Sequence, residues 1–410
     1  GDNNVAIGYD ALTANTTGSQ NTASGYLSLY SNTTGIQNTA TGSRSLQVNT
    51  TGHSNTATGA SSLQSNTTGL YNTAYGAHSL NSNTTGPGNT ATGYQSLKSN
   101  TTGSYNIATG HQSLFSNTTG HRNIAIGYQS LYSNTTGSYN TASGYESLKS
   151  NTDGTHNTAT GSGSLQLNTT GSTNTATGNS SLYSNTTGSS NTATGSNSLQ
   201  RNTTGSHNTA LGFEALNANT TGTYNIAIGN YAYDAATTAQ HNLAIGYDAL
   251  GGAVEGGLSG ALYNVGIGNY SMDALTSGSH NTAVGYNAAS AVTAGSANTA
   301  LGGLALEDNT TGSYNEAIGY ASLMNNTTGE RNTALGTEAL KRNTTGSRNI
   351  AIGNASYDAA DTESDNLAIG YYALGGPIAD GEYNVAIGNY SMTATTSGDY
   401  NVGIGYASLF

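Results

Sequence analysis

Apolar positions recur along this chain with a fixed period of 17 residues. Aligned on Asn-x-Ala-x-Gly, successive units begin at Asn4, Asn21, Asn38 and Asn55, and the count of 17 runs unbroken to Asn242. A longer step then leads to Asn264, and a step one residue longer than the period leads from Asn366 to Asn384, giving 24 units with the last truncated. Within a unit the third position is Ala except at Gly266 and Gly403. The ninth is Leu except at Tyr233, Met272, Ala289, Tyr357 and Met392. The Asn-Thr-Ala-Thr-Gly stretch alternates with period two and predicts a short strand ended by Gly. Tyr-Gln-Ser-Leu-Tyr predicts a second strand, and Asn-Thr-Thr-Gly a turn whose Asn and Gly tolerate left-handed backbone angles. Seventeen residues are too few for a helix-pair repeat, which needs roughly 33. Fixed Gly and dense Asn and Thr also disfavour helix.

The pattern therefore predicts an all-β fold, a parallel β-solenoid (β-roll) with 17 residues per coil and about 24 coils. Each coil would hold two strands and two turns, rising ~4.8 Å, so that the array reaches roughly 115 Å. Residues 1–410 read as one continuous array with local loop insertions near 251–263 and 375–383. Residues 225–272 and 349–392 share Ile-Ala-Ile-Gly-Asn, Asn-Leu-Ala-Ile-Gly-Tyr and Gly-Asn-Tyr-Ser-Met, the mark of a duplicated multi-unit block.

In a stack, like residues lie above like residues, so variation between units reports constraint. Ala23, Leu29, Ala40, Leu46, Ala125 and Leu131 are the expected narrow core. Asn21, Asn38 and Asn123 are expected to form a hydrogen-bonded ladder, with Gly25, Gly42 and Gly127 at the turn. The second and fourth positions hold Thr39 and Thr41, Thr56 and Thr58, or Ile124 and Ile126, but also Glu316 and Tyr75. A core would not take Glu, so this face is expected to point outward. So thin a coil is a poor monomer, and packing of this face around a symmetry axis predicts a homotrimer.

Composition narrows the classes further. Apolar residues make up 34% and charged residues 7%, with 57 Gly and two Pro. Disordered chains are usually rich in charge and Pro, and this one is not. Cysteine is absent, which removes disulfides and thiolate metal sites. No apolar run approaches the ~18 residues of a membrane span. A chain that starts at Gly1 and ends at Phe410 inside the repeat phase is expected to be processed, or part of something longer. The net charge of −12 divides into +1 over residues 1–205 and −13 over the rest. Nucleic acid is not expected as a partner, because phosphate needs a positive track.

Runs such as Asn4-Val5-Ala6-Ile7-Gly8 and Asn384-Val385-Ala386-Ile387-Gly388 resemble the head repeats of trimeric autotransporter adhesins, which are parallel β-rolls. With Gly-Tyr-x-Ser/Ala-Leu and Asn-Thr-Thr-Gly, the whole chain is similar to repeat shafts of phage-type tail-fibre proteins. Adhesin heads have shorter coils and lack that turn. The resemblance implies trimerisation, surface display and adhesion. The expected function is a non-enzymatic shaft of an extracellular, cell-surface or virion fibre. Its expected partners are itself, as homotrimer or end-to-end filament, and a surface receptor or glycan. No cofactor and no membrane insertion are expected.

Several side-chain rows suggest sharper chemistry. Thr39 and Thr41, Thr56 and Thr58, and the pairs at 90/92, 158/160, 175/177 and 192/194 form a Thr-x-Thr array like those of ice-binding solenoids. The bland reading is that Thr suits a strand. Sequons recur at Asn15, Asn32, Asn49 and Asn66, but rungs ~4.8 Å apart cannot all carry glycans, which favours the turn role. Tyr94, Tyr128 and other periodic Tyr are expected either to bind surfaces or, more simply, to stack as stiffening ladders. Asp358, Asp361, Glu363 and Asp365 form the one dense acid cluster, without the spacing of a calcium loop. The eight His are scattered, and no nucleophile–base pair or phosphate loop is present.

Overall fold

The computed structural model describes residues 1–252, 260–376, 381–394 and 398–409. They form two compact units, Gly1–Thr204 and Gly205–Phe410. Both are all-β parallel solenoids, and the described residues contain no helix. The first unit runs from strand Val5–Ile7 to strand Thr192–Thr194, and the second from Thr209–Leu211 to Val402–Ile404. Every strand is three residues long and pairs with the one a repeat away, so Thr39 sits beside Thr56 and Ala40 beside Ala57. The longer step keeps the same register, with Leu243 beside Val265. The centres of both expected loop insertions, 253–259 and 377–380, lie outside the described residues.

One expectation fails. The Tyr-Gln-Ser-Leu-Tyr stretch is not a strand. Gln129 and Leu131 have φ of 49° and 51°, and Tyr139 has 61°, so the seventh, ninth and seventeenth positions are left-handed in coil after coil. Alternation with ordinary residues bends this side of the coil into an arc rather than a flat ribbon. Its backbone still bonds across rungs: Leu131 N donates to Ser147 O at 3.0 Å and Ser133 N to Lys149 O at 2.9 Å. The second strand is thus replaced by a turn that keeps its inter-coil bonds. A left-handed backbone is least tolerable for β-branched side chains. This explains why the ninth position uses Leu and Met and never Ile or Val.

The interior is narrow and half polar. Ala23, Ala40 and Ala125 with Leu29, Leu46 and Leu131 are fully buried. So are Asn21, Asn38 and Asn123, and with them the twelfth-position Asn32, Asn49 and Asn134. The first-position amides form one ladder: Asn38 N donates to Asn21 Oδ1 at 3.0 Å, and Asn38 Nδ2 to the Gly52 carbonyl at 2.9 Å. The twelfth-position amides form another, with Asn49 Nδ2 donating to Asn32 Oδ1 at 2.8 Å and to the same Gly52 carbonyl at 3.0 Å. In these coils the two buried ladders thus share one carbonyl, and their amides are satisfied within the stack.

Glycine is demanded twice. At Gly25, with φ of 143°, a Cβ would lie 2.5 Å from the Gly42 carbonyl oxygen of the next rung. At Gly35 a Cβ would collide with Asn32 Oδ1 and with the Gly52 carbonyl. Two coils depart from the pattern together. Tyr233, Ala236 and Ala239 replace Leu, Asn and Gly at positions nine, twelve and fifteen, and Tyr357, Ala360 and Glu363 do so again. Both tyrosines are fully buried. Their hydroxyls accept from Asn242 Nδ2 and Asn366 Nδ2, each at 2.6 Å. The missing Asn makes room for the larger ring, and its loss removes one of the two clashes that require Gly. The ladder is interrupted: Asn343 Oδ1, one rung before Ala360, is buried without a hydrogen-bond partner.

Two stability outcomes follow from this packing. Leu131→Met is expected to stay within about 1.5 kcal/mol of the parent. Leu131→Ile, of equal volume, is expected to cost about 1–3 kcal/mol more through left-handed strain; denaturant melts read the order. Leu131→Tyr alone should lower the midpoint by overpacking. Adding Asn134→Ala should recover part of it, with a coupling of about 1–3 kcal/mol in a double-mutant cycle. Strict additivity would contradict the compensation.

Candidate functional site

Outward-facing Thr and aromatic rows, the Asn-Thr-Thr-Gly sequons and two groups of carboxylates carry the candidate chemistry. On the strand face, Thr39 and Thr41 are exposed, and Thr56 and Thr58 are half-exposed, each pair flanking a buried Ala. The strands are in register, so the hydroxyls form two straight columns. Thr158, Thr175 and Thr192 adjoin in one, and Thr160, Thr177 and Thr194 in the other. Tyr75, Ile107 and Ile126 interrupt the array.

The aromatic rows stack along the rung direction. Tyr94, His111, Tyr128 and Tyr145 make one run at 5.2–5.4 Å between ring centroids. A second run alternates His207, Tyr224, His241, Tyr263 and His280, spaced by 4.8 to 5.1 Å. Phe115 stacks on Tyr132, and Lys98 lies over the Phe115 ring. Most rings in these runs use their faces on one another, which leaves edges and polar tips to solvent. This geometry suits stiffening more than the flat platform a sugar ring needs. The spacing of His residues does not announce the alternating row. Its signal is the seventeenth-position column, where His and Tyr take turns.

The sequons are structural. Asn32 is fully buried, and the nitrogen that would carry a glycan donates to Asn15 Oδ1 at 2.9 Å and to Gly35 O at 3.1 Å. The following Thr is used too, since Thr33 Oγ1 donates to Thr50 O at 3.1 Å. Asn-Thr-Thr-Gly is therefore more than a turn.

The acid cluster disperses. Asp365 is held by Arg348 through Nε at 2.6 Å and Nη2 at 2.7 Å. Glu363 is buried, and its Oε2 accepts from Asp361 N and Thr362 N at 2.9 and 3.1 Å. Asp361 Oδ1 accepts from Thr344 Oγ1 at 2.6 Å. Among the described residues no group of three or more His, Asp or Glu is placed to hold a metal ion, and no helix is long and apolar enough to cross a membrane.

A different acidic group, not apparent from sequence, has perturbed protonation. Burial, then the Asp248 charge, pushes Asp234 up to about 6; Glu214 adds to the effect. The same two causes push Asp273 up to about 6. Burial raises Asp248 itself. These carboxyls lie at the seventh and tenth positions of successive coils, where elsewhere Glu146 meets Lys149 at 2.7 Å.

No protein family matches the chain, and no curated protein matches it.

Because the folded values lie above those of the unfolded chain, this cluster stabilises fully only below about pH 4 and loses its contribution as pH rises through about 6. Melting temperature is expected to fall between pH 4.5 and 7.5 for transitions of the second unit. Asp234→Asn with Asp273→Asn should raise the value at pH 7.5 and flatten the slope. An unchanged slope would count against the cluster.

Proposed function

We propose that the chain is a non-enzymatic structural and adhesive shaft in a fibre displayed on a cell or virion surface. The observation that carries this reading is the return of one bond set in coil after coil. Asn21, Asn38, Asn55 and their successors repeat the same amide contacts, and the strands repeat the same register. Such a chain specifies length and stiffness rather than a single pocket. The resemblance to tail-fibre shafts and adhesin heads supports the same role. Its partners would be further copies of itself and a receptor or glycan outside the cell.

Negative-stain imaging of the full chain tests this. Discrete rods of uniform length are expected. Indefinite fibres would move the role to a self-assembling extracellular filament, and compact round particles would end both.

A second reading is favoured by the in-register hydroxyl columns at Thr158/Thr160, Thr175/Thr177 and Thr192/Thr194. A straight, exposed Thr array can order water at an ice surface. A thermal-hysteresis measurement decides: activity lost on Thr175→Lys would support ice binding, and no hysteresis at high protein concentration would end it.

A further inference from the structure

The strand face of the second unit differs in kind from that of the first. From Leu211 to Ile404 every fourth-position residue is Leu, Ile or Val, where the first unit has mostly Thr and Ser. None of these twelve is buried, and Leu211, Leu301 and Leu335 are 47%, 46% and 44% exposed. Seven of the twelve second-position residues beside them are also apolar. Side chains open to this degree make an apolar face on the order of 1,000 Å². An ordinary monomer's largest patch is ~300–600 Å², and each partner of a standard interface brings ~800 Å².

The order of residues along the second-position column identifies the occupant. Counted outward from the middle of the unit, Thr299 is matched by Glu316 and Thr282 by Thr333. Beyond them, Val265 is matched by Ile350 and Leu243 by Leu367, and the next rungs are again apolar on both sides. Only the outermost pair, Thr209 and Val402, breaks the symmetry. A column that reads alike from both ends is self-complementary under a two-fold rotation.

We propose that this face packs on the same face of a second copy, with the two stacks running in opposite directions. The two-fold axis would lie along the strands, between the rungs of Thr299 and Glu316, with the sheets ~10 Å apart. The rung pitch then matches over the whole unit, as it would for no partner other than stacked strands. Glu316, the single charge in the two columns, meets the Thr299 hydroxyl of the other copy, which can donate to it. With the stacks running in the same direction, Glu316 would instead face the apolar Ile318 column and lose its hydration uncompensated. Apart from Glu316, none of the described acids of the second half stands in these two columns.

The test is the mass of the full chain in solution across a concentration series, with charge-swap variants at opposed rungs. The parent is expected to be a dimer, in place of the trimer expected from the repeat pattern. Leu243→Glu alone and Leu367→Lys alone should each raise the dissociation constant at least tenfold. The two together place Glu opposite Lys twice and should restore most of the affinity. Both positions are half-exposed, so circular-dichroism melts confirm that the variants remain folded. Thr175→Glu on the first unit's face should leave association unchanged. A monomeric or trimeric parent, a double variant no better than either single, or dissociation by Thr175→Glu would overturn the pairing. A monomer that still images as a rod would remove the pairing and leave the shaft role intact.

Discussion

Everything in this architecture hangs on a buried amide. A coil of 17 residues cannot enclose enough hydrocarbon to hold itself closed, and the Leu and Ala columns fill only part of the interior. The remainder is Asn. First-position side chains bond upward to their successors and sideways to a carbonyl of their own coil, as Asn38 does to Gly52 at 2.9 Å. The second Asn ladder reaches the same oxygen. In a low-dielectric interior such a network is valuable when complete and costly when broken. Completeness requires a neighbour above and below, so one coil cannot be stable without the next.

The variant coils show how tightly these terms are tied. Tyr233 and Tyr357 each come with Ala three residues later, and with a substituted Gly three residues after that. Taken singly, a buried Tyr, a missing Asn and a Cβ at the carbonyl would each look damaging. Together they exchange one amide for one phenol and keep Asn242 and Asn366 satisfied. The chain solved the same packing problem twice, in the two copies of its longer echo.

Much of this was legible beforehand. The period, the parallel register, and the inward Ala and Leu columns follow from the invariance of Asn and Gly and from the alternation around Ala. The arc at Gln129 and Leu131 was not legible in the same way, because neither residue type advertises a positive φ. The usable clue was negative: the near absence of β-branching at those positions. Asn32 and its equivalents were hidden behind a good turn motif, since Asn-Thr-Thr-Gly accounts for itself without any ladder. The acidic group around Asp248 was hidden because its members are 14 to 25 residues apart in sequence and meet only through the coil. The outward rows were visible as rows, but not the direction in which their rings face.

The bonds between rungs also determine how a unit yields to tension. They run along the stacking direction, so a pull on the chain ends loads one coil's set at a time while the rest stay closed. Each coil released turns ~4.8 Å of rise into roughly 55–60 Å of extended polypeptide. Force would therefore be met by stepwise lengthening rather than by a single rupture.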